Sequence, residues 1–142
     1  MANKKVLNAT STTIDNITFK SKFEGSVYKA LLSSGLNFSY EPKKIILQEG
    51  FYPTRLFMSP NKAHELVKTM KKVLPITYTP DFVVNHNGIT HYIEAKGMKT
   101  DSYNIKIKLF REYVEHQPNT CIYEVHTLRQ LNTAINQIKQ SC

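Results

Sequence analysis

Cysteine is scarce in this chain, which has only Cys121 and Cys142 among its 142 residues. They lie far apart and outside any C-x-x-C pattern, so the sequence favours neither a disulfide-stapled fold nor a structural zinc site. Long apolar runs are also missing: no stretch approaches the roughly 18 residues of a membrane span, and the N-terminal residues lack the apolar core of a signal peptide. We therefore expect a soluble, cytoplasmic protein that is stabilised by packing.

Acidic residues are also scarce relative to basic ones. The chain has 11 Asp and Glu against 19 Lys and Arg, which gives a formal net charge of +8. Hydrophobic residues make up 41% and charged residues 21%, close to the averages of globular proteins, so the excess charge should lie on a folded surface rather than in a disordered polycation. A folded basic domain of this size most often binds a polyanion, and nucleic acid is the first candidate.

The first half of the chain predicts an arm, two helices and a strand, all within one domain spanning residues 1–142. Residues 1–18 are polar and predict an extended or mobile arm. A helix is expected from Ser21 to the helix-ending Gly35, followed by a strand over residues 38–47 and a loop over 48–60. Asn61 is expected to cap an inserted helix over residues 61–73, whose exposed side is basic.

The second half predicts alternating strands and helices. Strands over residues 77–86 and 89–96 flank Asn87-Gly88, the dipeptide that most favours a two-residue type I′ hairpin turn. A helix over residues 101–115 and a strand over 121–125 should follow. A last helix begins at Thr127, where Thr127-x-x-Gln130 forms a capping box. The strand, helix and strand from residue 89 to 125 predict a parallel crossover, so the expected fold is α/β, with a mixed sheet flanked by helices.

Two acids are brought together by the predicted hairpin. If His86 faces Ile89, the same register sets Asp81 opposite Glu94, with Cβ atoms roughly 4.5 to 5.5 Å apart. Like charges so placed destabilise a sheet, and a divalent cation such as Mg²⁺, which accepts one or two carboxylates plus water and phosphate, offsets the repulsion. Lys96 lies two residues beyond Glu94 and so on the same face.

A structural interpretation competes with this one. Asp81 could be a turn residue, and Glu94 with Lys96 a solvated ion pair of little energetic weight. His86 and His91 fall on the opposite face of the hairpin and are interpreted as structural or exposed.

The residues Pro80-Asp81 and Glu94-Ala95-Lys96 resemble the signature of the PD-(D/E)XK nuclease superfamily. The element order from residue 21 to 125 is similar to that superfamily's core of helix, three strands, helix and strand, a restriction-endonuclease-like fold. The closest likeness is to phage endonuclease I type Holliday-junction resolvases and related small phage nucleases, through Phe23-Glu24, Tyr40-Glu41, residues 78–82 and residues 94–97. The inserted helix departs from their pattern.

This resemblance implies that Glu24, in the first helix, joins the metal site. Ser21-x-x-Glu24 is also a capping box, in which Glu24 would only satisfy the helix N-terminus, and both roles stay open. The expected chemistry is metal-dependent hydrolysis of DNA phosphodiesters, which the resemblance implies leaves 5′-phosphate and 3′-hydroxyl ends. Asp81 and Glu94 would hold Mg²⁺ or Mn²⁺ with the Ala95 carbonyl as a further ligand, while Lys96 positions the attacking water or neutralises developing charge.

Basic residues near these positions predict contacts with DNA. Those that follow the active strand are Lys99, Lys106, Lys108 and Arg111, and those of the predicted inserted helix are Lys68, Lys71 and Lys72; an ordinary solvated helix face is the alternative for both groups. Tyr103 is the aromatic residue that we expect first to contact DNA.

We expect a structure-selective junction resolvase that acts on branched DNA as a homodimer, since two symmetric cuts need two active sites. If the chain is phage-encoded, it would act in the cytoplasm of the infected bacterial host. A nicking, restriction-like or transposase-end nuclease is an alternative, and a non-catalytic DNA-binding module with the same fold is a rival of another class.

Overall fold

The structure is a computed structural model that describes residues 11–97 and 99–141. Within them the helices are α1 (Lys22–Ser34), α2 (Asp101–Glu115) and α3 (Leu128–Gln140). The strands are β1 (Thr12–Ile14), β2 (Ile17–Phe19), β3 (Asn37–Tyr40), β4 (Ile45–Gln48), β5 (Met58–Pro60), β6 (Leu66–Lys68), β7 (Ile76–Tyr78), β8 (Phe82–His86), β9 (Ile89–Ala95) and β10 (Thr120–Val125). Lys44–Tyr78 form one compact unit, and the residues before and after that segment form another.

A four-stranded mixed sheet organises the larger unit, in the order β10-β9-β8-β3. β9 runs parallel to β10 and antiparallel to β8, and β8 is antiparallel to β3. Asn87 and Gly88 both have positive φ, of 50° and 75°, as a type I′ turn requires. The predicted hairpin and the parallel crossover through α2 are therefore confirmed, as is the α/β class.

Helices cover both faces of this sheet. The main apolar core joins α1 and α3 to the face that carries Phe82 and Ile93, both fully buried. On the other face the Tyr92 ring of β9 packs edge-on against Phe110 of α2, with 5.1 Å between ring centroids. Because side chains alternate along a strand, Glu94 shares a face with Tyr92 and lies on the α2 side.

The predicted helix ends agree with the structure. Ser21 caps α1, Gly35 ends it in the left-handed region, and Thr127 with Gln130 completes a capping box at α3. Helical spacing in the sequence places Ile105 and Leu128 on the apolar sides of α2 and α3, but both side chains are exposed.

Over the described part of the predicted extended or mobile arm, the backbone is extended but paired, so it is not a free arm. β1 and β2 pair as an antiparallel hairpin, and the Phe19 side chain is fully buried in the main core. Gly25 of α1 packs closely against this hairpin: a Cβ on residue 25 would come 2.7 Å from Cγ2 of Thr12 in β1. Residues 1–10, the rest of the predicted arm, lie outside the described residues.

Two predicted strands are each divided. The strand expected over residues 38–47 ends at Tyr40 and resumes at Ile45 as β4, because Glu41 takes a positive φ of 43° and Pro42 follows it. The strand expected over residues 77–86 is interrupted between β7 and β8, where Pro80 has no amide hydrogen for a ladder.

The helix predicted over residues 61–73 is wrong, because this segment holds β6 and a tight turn. Asn61 does not cap a helix: its Oδ1 accepts the amide hydrogens of Ala63 and Glu65, and its own amide donates to the Glu65 carbonyl. His64 has a positive φ of 61°, which a helix excludes. Leu66, Val67 and Met70 are exposed, so no apolar face is buried to stabilise a helix.

None of the helices in the described ranges is both long and apolar enough to cross a membrane.

Candidate active site

Asp81 and Glu94 are buried side by side at one end of the hairpin. The pairing of β8 with β9 runs from His86↔Ile89 to Phe82↔Ile93, so Asp81 comes directly after the last pair, beside Glu94. Asp81 is 6% exposed and Glu94 0%. The amide of Ala95 donates a hydrogen bond of 2.8 Å to Oδ2 of Asp81, which fixes this carboxylate against the end of β9. The alternative of a solvated ion pair fails, because both oxygens of Glu94 are buried.

Burial dominates the electrostatics of Asp81. It raises the pKa of this carboxyl group, because the charged form loses its hydration. The Lys96 charge, the Ala95 amide, the Lys20 charge and a hydrogen bond with Glu94 all lower the pKa, without cancelling the effect of burial. The Asp81 carboxylate is therefore destabilised by burial, and the nearby positive charges offset only part of that cost.

Glu24 of α1 contributes a third buried carboxyl group, 6% exposed. Its backbone amide donates to Oγ of the capping Ser21 at 3.2 Å, while its Oε2 accepts a hydrogen bond of 2.8 Å from the Tyr40 hydroxyl. Burial and the negative charge of Asp81 raise the pKa of Glu24, and Tyr40 and Lys20 lower it. The helix cap thus uses the Glu24 amide, and the carboxyl group interacts electrostatically with Asp81.

Lys96 supplies positive charge directly after β9. Its amide donates to the Val125 carbonyl at 3.0 Å, and its carbonyl oxygen lies 2.6 Å from Nδ1 of His126, so β10 and the residue after it hold this backbone. Its Nζ lies 4.8 Å from the centroid of the Tyr103 ring, a cation–π contact. The Lys96 charge is the largest of the influences that lower the pKa of Asp81.

Tyr103, which we predicted to contact DNA, has a buried side chain. It is 6% exposed, and its hydroxyl donates a 2.9 Å hydrogen bond to Oε1 of Glu124. Glu124 is the partner of Glu94 in the parallel pairing of β9 with β10, so both lie on the α2 face. The Tyr103 ring therefore links the Lys96 ammonium to a further carboxylate at the edge of the site.

The predicted DNA-contacting residues differ in their surroundings. Lys99 forms an ion pair of 3.3 Å with Glu124, and Lys106 is half-buried on α2. The remaining ones are exposed: Lys108 and Arg111 on α2, and Lys68, Lys71 and Lys72 within Lys44–Tyr78. Exposure leaves these five charges accessible to a polyanion.

Two of these carboxyl groups suit a divalent metal that takes its remaining ligands from water or substrate rather than from protein side chains. In the described part of the chain, no group of three or more His, Cys, Asp and Glu side chains is arranged to hold a metal ion. Asp81 and Glu94 nevertheless suit Mg²⁺, which commonly binds one or two carboxylates and keeps several waters or substrate oxygens. Their placement as buried neighbouring acids agrees with such a site, and the inclusion of Glu24 stays a prediction.

Comparison with protein families gives one match, to a family described as "Protein of unknown function (DUF1064)", over residues 4–130. The chain belongs to the DUF1064 family. No curated protein matches it at a significant level. The matched segment of this DUF1064 chain contains α1, the β8–β9 hairpin, α2 and β10, and therefore every residue of the candidate site.

Sequence reasoning missed the polar residues that surround the acids of this DUF1064 chain. Tyr40 reaches Glu24 across 16 positions, and Lys20 lies 3.0 Å from Glu41. Glu41 in turn donates its amide to the Asp81 carbonyl at 2.8 Å. Tyr40-Glu41 was singled out only through the resemblance, and nothing in the local pattern of Lys20 indicated its position near the acids.

Proposed function

We propose that this protein is a divalent-metal-dependent endodeoxyribonuclease of PD-(D/E)XK type, which hydrolyses DNA phosphodiester bonds. One observation carries the proposal: two neighbouring carboxyl groups, Asp81 and Glu94, are buried at the end of one hairpin with the Lys96 ammonium beside them. Burying acids together is unfavourable for folding, and perturbed carboxyl groups held against a specific charge partner are typical of active sites.

Asp81 and Glu94 would hold Mg²⁺ or Mn²⁺, with the Ala95 carbonyl as a further ligand and Glu24 as a contributor. The ion, when bound, supplies a water of lowered pKa and stabilises negative charge on the phosphoryl oxygens. The Ala95 amide holds Asp81 in position through its 2.8 Å hydrogen bond, so the carboxylate need not reorganise when substrate arrives.

Lys96 would act on the substrate rather than on the fold. Its ammonium is steadied by the Tyr103 ring at 4.8 Å, and it lies close enough to lower the pKa of Asp81. A cation in this position can orient the attacking water or neutralise charge that develops on the phosphate. Tyr103, which does not touch the substrate in this scheme, is a positioning residue.

Branched DNA is the proposed substrate, cut by a homodimer. The net charge of +8 and the exposed Lys108 and Arg111 suit a phosphate backbone. Two symmetric cuts across a four-way junction require two active sites, and a two-fold dimer is the simplest arrangement that provides them.

A non-catalytic DNA-binding module is the second candidate function. The observation that favours it is that no group of three possible metal-ligating side chains is assembled within residues 11–97 and 99–141. Such a protein would keep the basic surface and bind DNA without cutting it.

A cleavage assay separates these functions. Four-way junction, duplex and single-stranded DNA of equal length are incubated with Mg²⁺, beside Asp81→Ala, Glu94→Gln and a chelator control. The proposal expects cleavage of the junction that either substitution or the chelator abolishes. Equal cleavage of all three DNAs would refute junction selectivity and leave the nuclease, whereas binding without any metal-dependent cleavage would support the second candidate.

A further inference from the structure

The segment Lys44–Tyr78, which we call the ribbon, is one long irregular antiparallel hairpin. Its pairing begins at Ile45↔Tyr78, continues through the bridge Phe51↔Val73 and ends beyond Met58↔Lys68 at the turn formed by residues 61–65. The pairing register shifts along its length, so it is not a regular sheet edge. A two-stranded hairpin has no interior in which to bury apolar side chains.

Large apolar side chains are accordingly exposed along the ribbon. Tyr52 is 74% exposed, Leu56 69% and Phe57 62%. Most of the exposed large apolar side chains within the described residues lie in this one segment. Single exposed apolar residues are ordinary, but a concentration of them marks an interaction surface.

Charge indicates which partner this surface accepts. The ribbon has six Lys and Arg residues and two Glu, so it carries a net +4, half of the chain's +8. A second copy would bring the same +4 to the interface and repel it, whereas a polyanion would neutralise it. Lys72 already lies over the Tyr52 ring, with Nζ 5.4 Å from the ring centroid, so cation and aromatic face are adjacent.

We propose that the ribbon binds unpaired bases of a DNA strand, with Tyr52 and Phe57 as stacking surfaces and Lys68, Lys71 and Lys72 on the strand's phosphates. Proteins that bind a single strand commonly use exposed aromatic rings interleaved with lysines, because every unpaired base has a flat π-face that can stack on a ring. A paired duplex offers only base edges and phosphates to such a surface. The inference rests on the proposed function, because it names the substrate class of that nuclease as DNA with single-stranded segments.

The test measures binding in EDTA, where no cleavage can occur, so its outcome is separate from that of the nuclease proposal. Fluorescence anisotropy of the full chain with a labelled 15-nucleotide oligo(dT) is compared with a duplex of the same length. The ring variants are Tyr52→Ala, Phe57→Ala and Tyr52→Phe, and Leu32→Ala is the matched control, since Leu32 is an exposed apolar residue of α1, outside the ribbon. Circular dichroism and sedimentation of each variant check its fold and oligomeric state.

Each alanine variant should bind oligo(dT) at least about fivefold more weakly, the lower end of the effect of losing one base–aromatic stack. Tyr52→Phe and Leu32→Ala should bind as the wild type does, and duplex affinity should change little. Removing Lys68, Lys71 and Lys72 together should reduce the slope of log K against log salt by about 2, at roughly 0.7 for each phosphate contact on a single strand.

Three results would overturn the inference. They are unchanged oligo(dT) affinity in both alanine variants, an equal loss of duplex and single-strand binding, and a change of oligomeric state without a change of DNA affinity. The last would identify the ribbon as a surface for a second copy of the chain. Binding that behaves as expected in a protein that never cleaves DNA would support the ribbon and refute the nuclease.

Discussion

Glu94→Gln should separate two effects of the buried acids on stability. One is their mutual repulsion in the metal-free protein, and the other is the stabilisation that a bound divalent metal would give. Glutamine has nearly the same shape, and its amide can donate a hydrogen bond to Asp81, so the substitution chiefly removes one buried negative charge. If both groups were fully ionised about 5 Å apart, they would repel each other by about 3 kcal/mol at an effective dielectric constant of about 20. The hydrogen bond between Asp81 and Glu94 needs a proton on one of them, so this value is an upper limit. Without metal at pH 7.5, the variant should therefore be more stable than the wild type by up to about this amount.

Metal should close most or all of this gap, because it stabilises the wild type and not the variant. An ion at 100 times its dissociation constant stabilises the folded wild type by about 2.7 kcal/mol. At about 2 to 4 °C per kcal/mol for a chain of this size, the melting temperature should rise by roughly 5 to 11 °C. Glu94→Gln has lost half of the carboxylate pair and should show little of this rise.

The assay is thermal unfolding followed by circular dichroism, in EDTA and in a series of Mg²⁺ and Mn²⁺ concentrations. Glu112→Gln is the control, because Glu112 is an exposed acid on α2, outside the site. It should keep the full response to metal. If Mg²⁺ and Mn²⁺ raise the melting temperatures of the wild type and Glu94→Gln equally, the shared-cation argument is refuted.

Four further predictions follow from the same geometry. Burial raises the pKa of Asp81 and that of Glu24, so the folded state holds these protons more tightly; in EDTA, their contribution to stability should be present below about pH 4 and be lost as pH rises through the raised pKa values. Asp81→Asn should flatten that decline in a plot of melting temperature against pH, and an equally steep decline would contradict it. Glu24→Gln should fold, as Ser21 still accepts the backbone amide, but lose cleavage; full activity would remove Glu24 from the site. Gly25→Ala should lower the urea-measured stability by about 1 to 3 kcal/mol, because its Cβ would meet Thr12 Cγ2 at 2.7 Å, and adding Thr12→Ser should restore much of it if that contact is the cause. Removing Lys106 and Lys108 should reduce the salt slope of duplex binding by about 0.9 for each lost phosphate contact, and an unchanged slope would assign both to a solvated helix face.

Local sequence rules were sufficient where a short motif fixes the backbone. Asn87-Gly88 requires a turn with two positive φ angles, and that turn sets the register that carries Asp81 to Glu94. Thr127 with Gln130 likewise fixes the start of α3. The proximity of Asp81 and Glu94 was therefore predictable, because it depends only on the two-residue turn and on the alternation of side chains along the strands.

The same rules failed where stability depends on tertiary burial. The segment over residues 61–73 has helical spacing of Leu66, Val67 and Met70, but no surface covers that face, and the Asn61 side chain closes a turn instead. Tyr103 was predicted to contact DNA, but packing places its side chain beside Lys96 and Glu124.

The amino-acid sequence by itself determined the hairpin register, the helix caps, the excess of positive charge and the pairing of Asp81 with Glu94. These features depend on neighbours within a few residues, or on a register that one turn fixes. Only the tertiary structure decided that Glu24 joins the electrostatics of Asp81, that Tyr40 donates to Glu24, and that Lys44–Tyr78 form a ribbon with exposed rings. The physical reason is that burial and hydrogen bonding between distant segments depend on how helices and strands pack, which local periodicity does not specify.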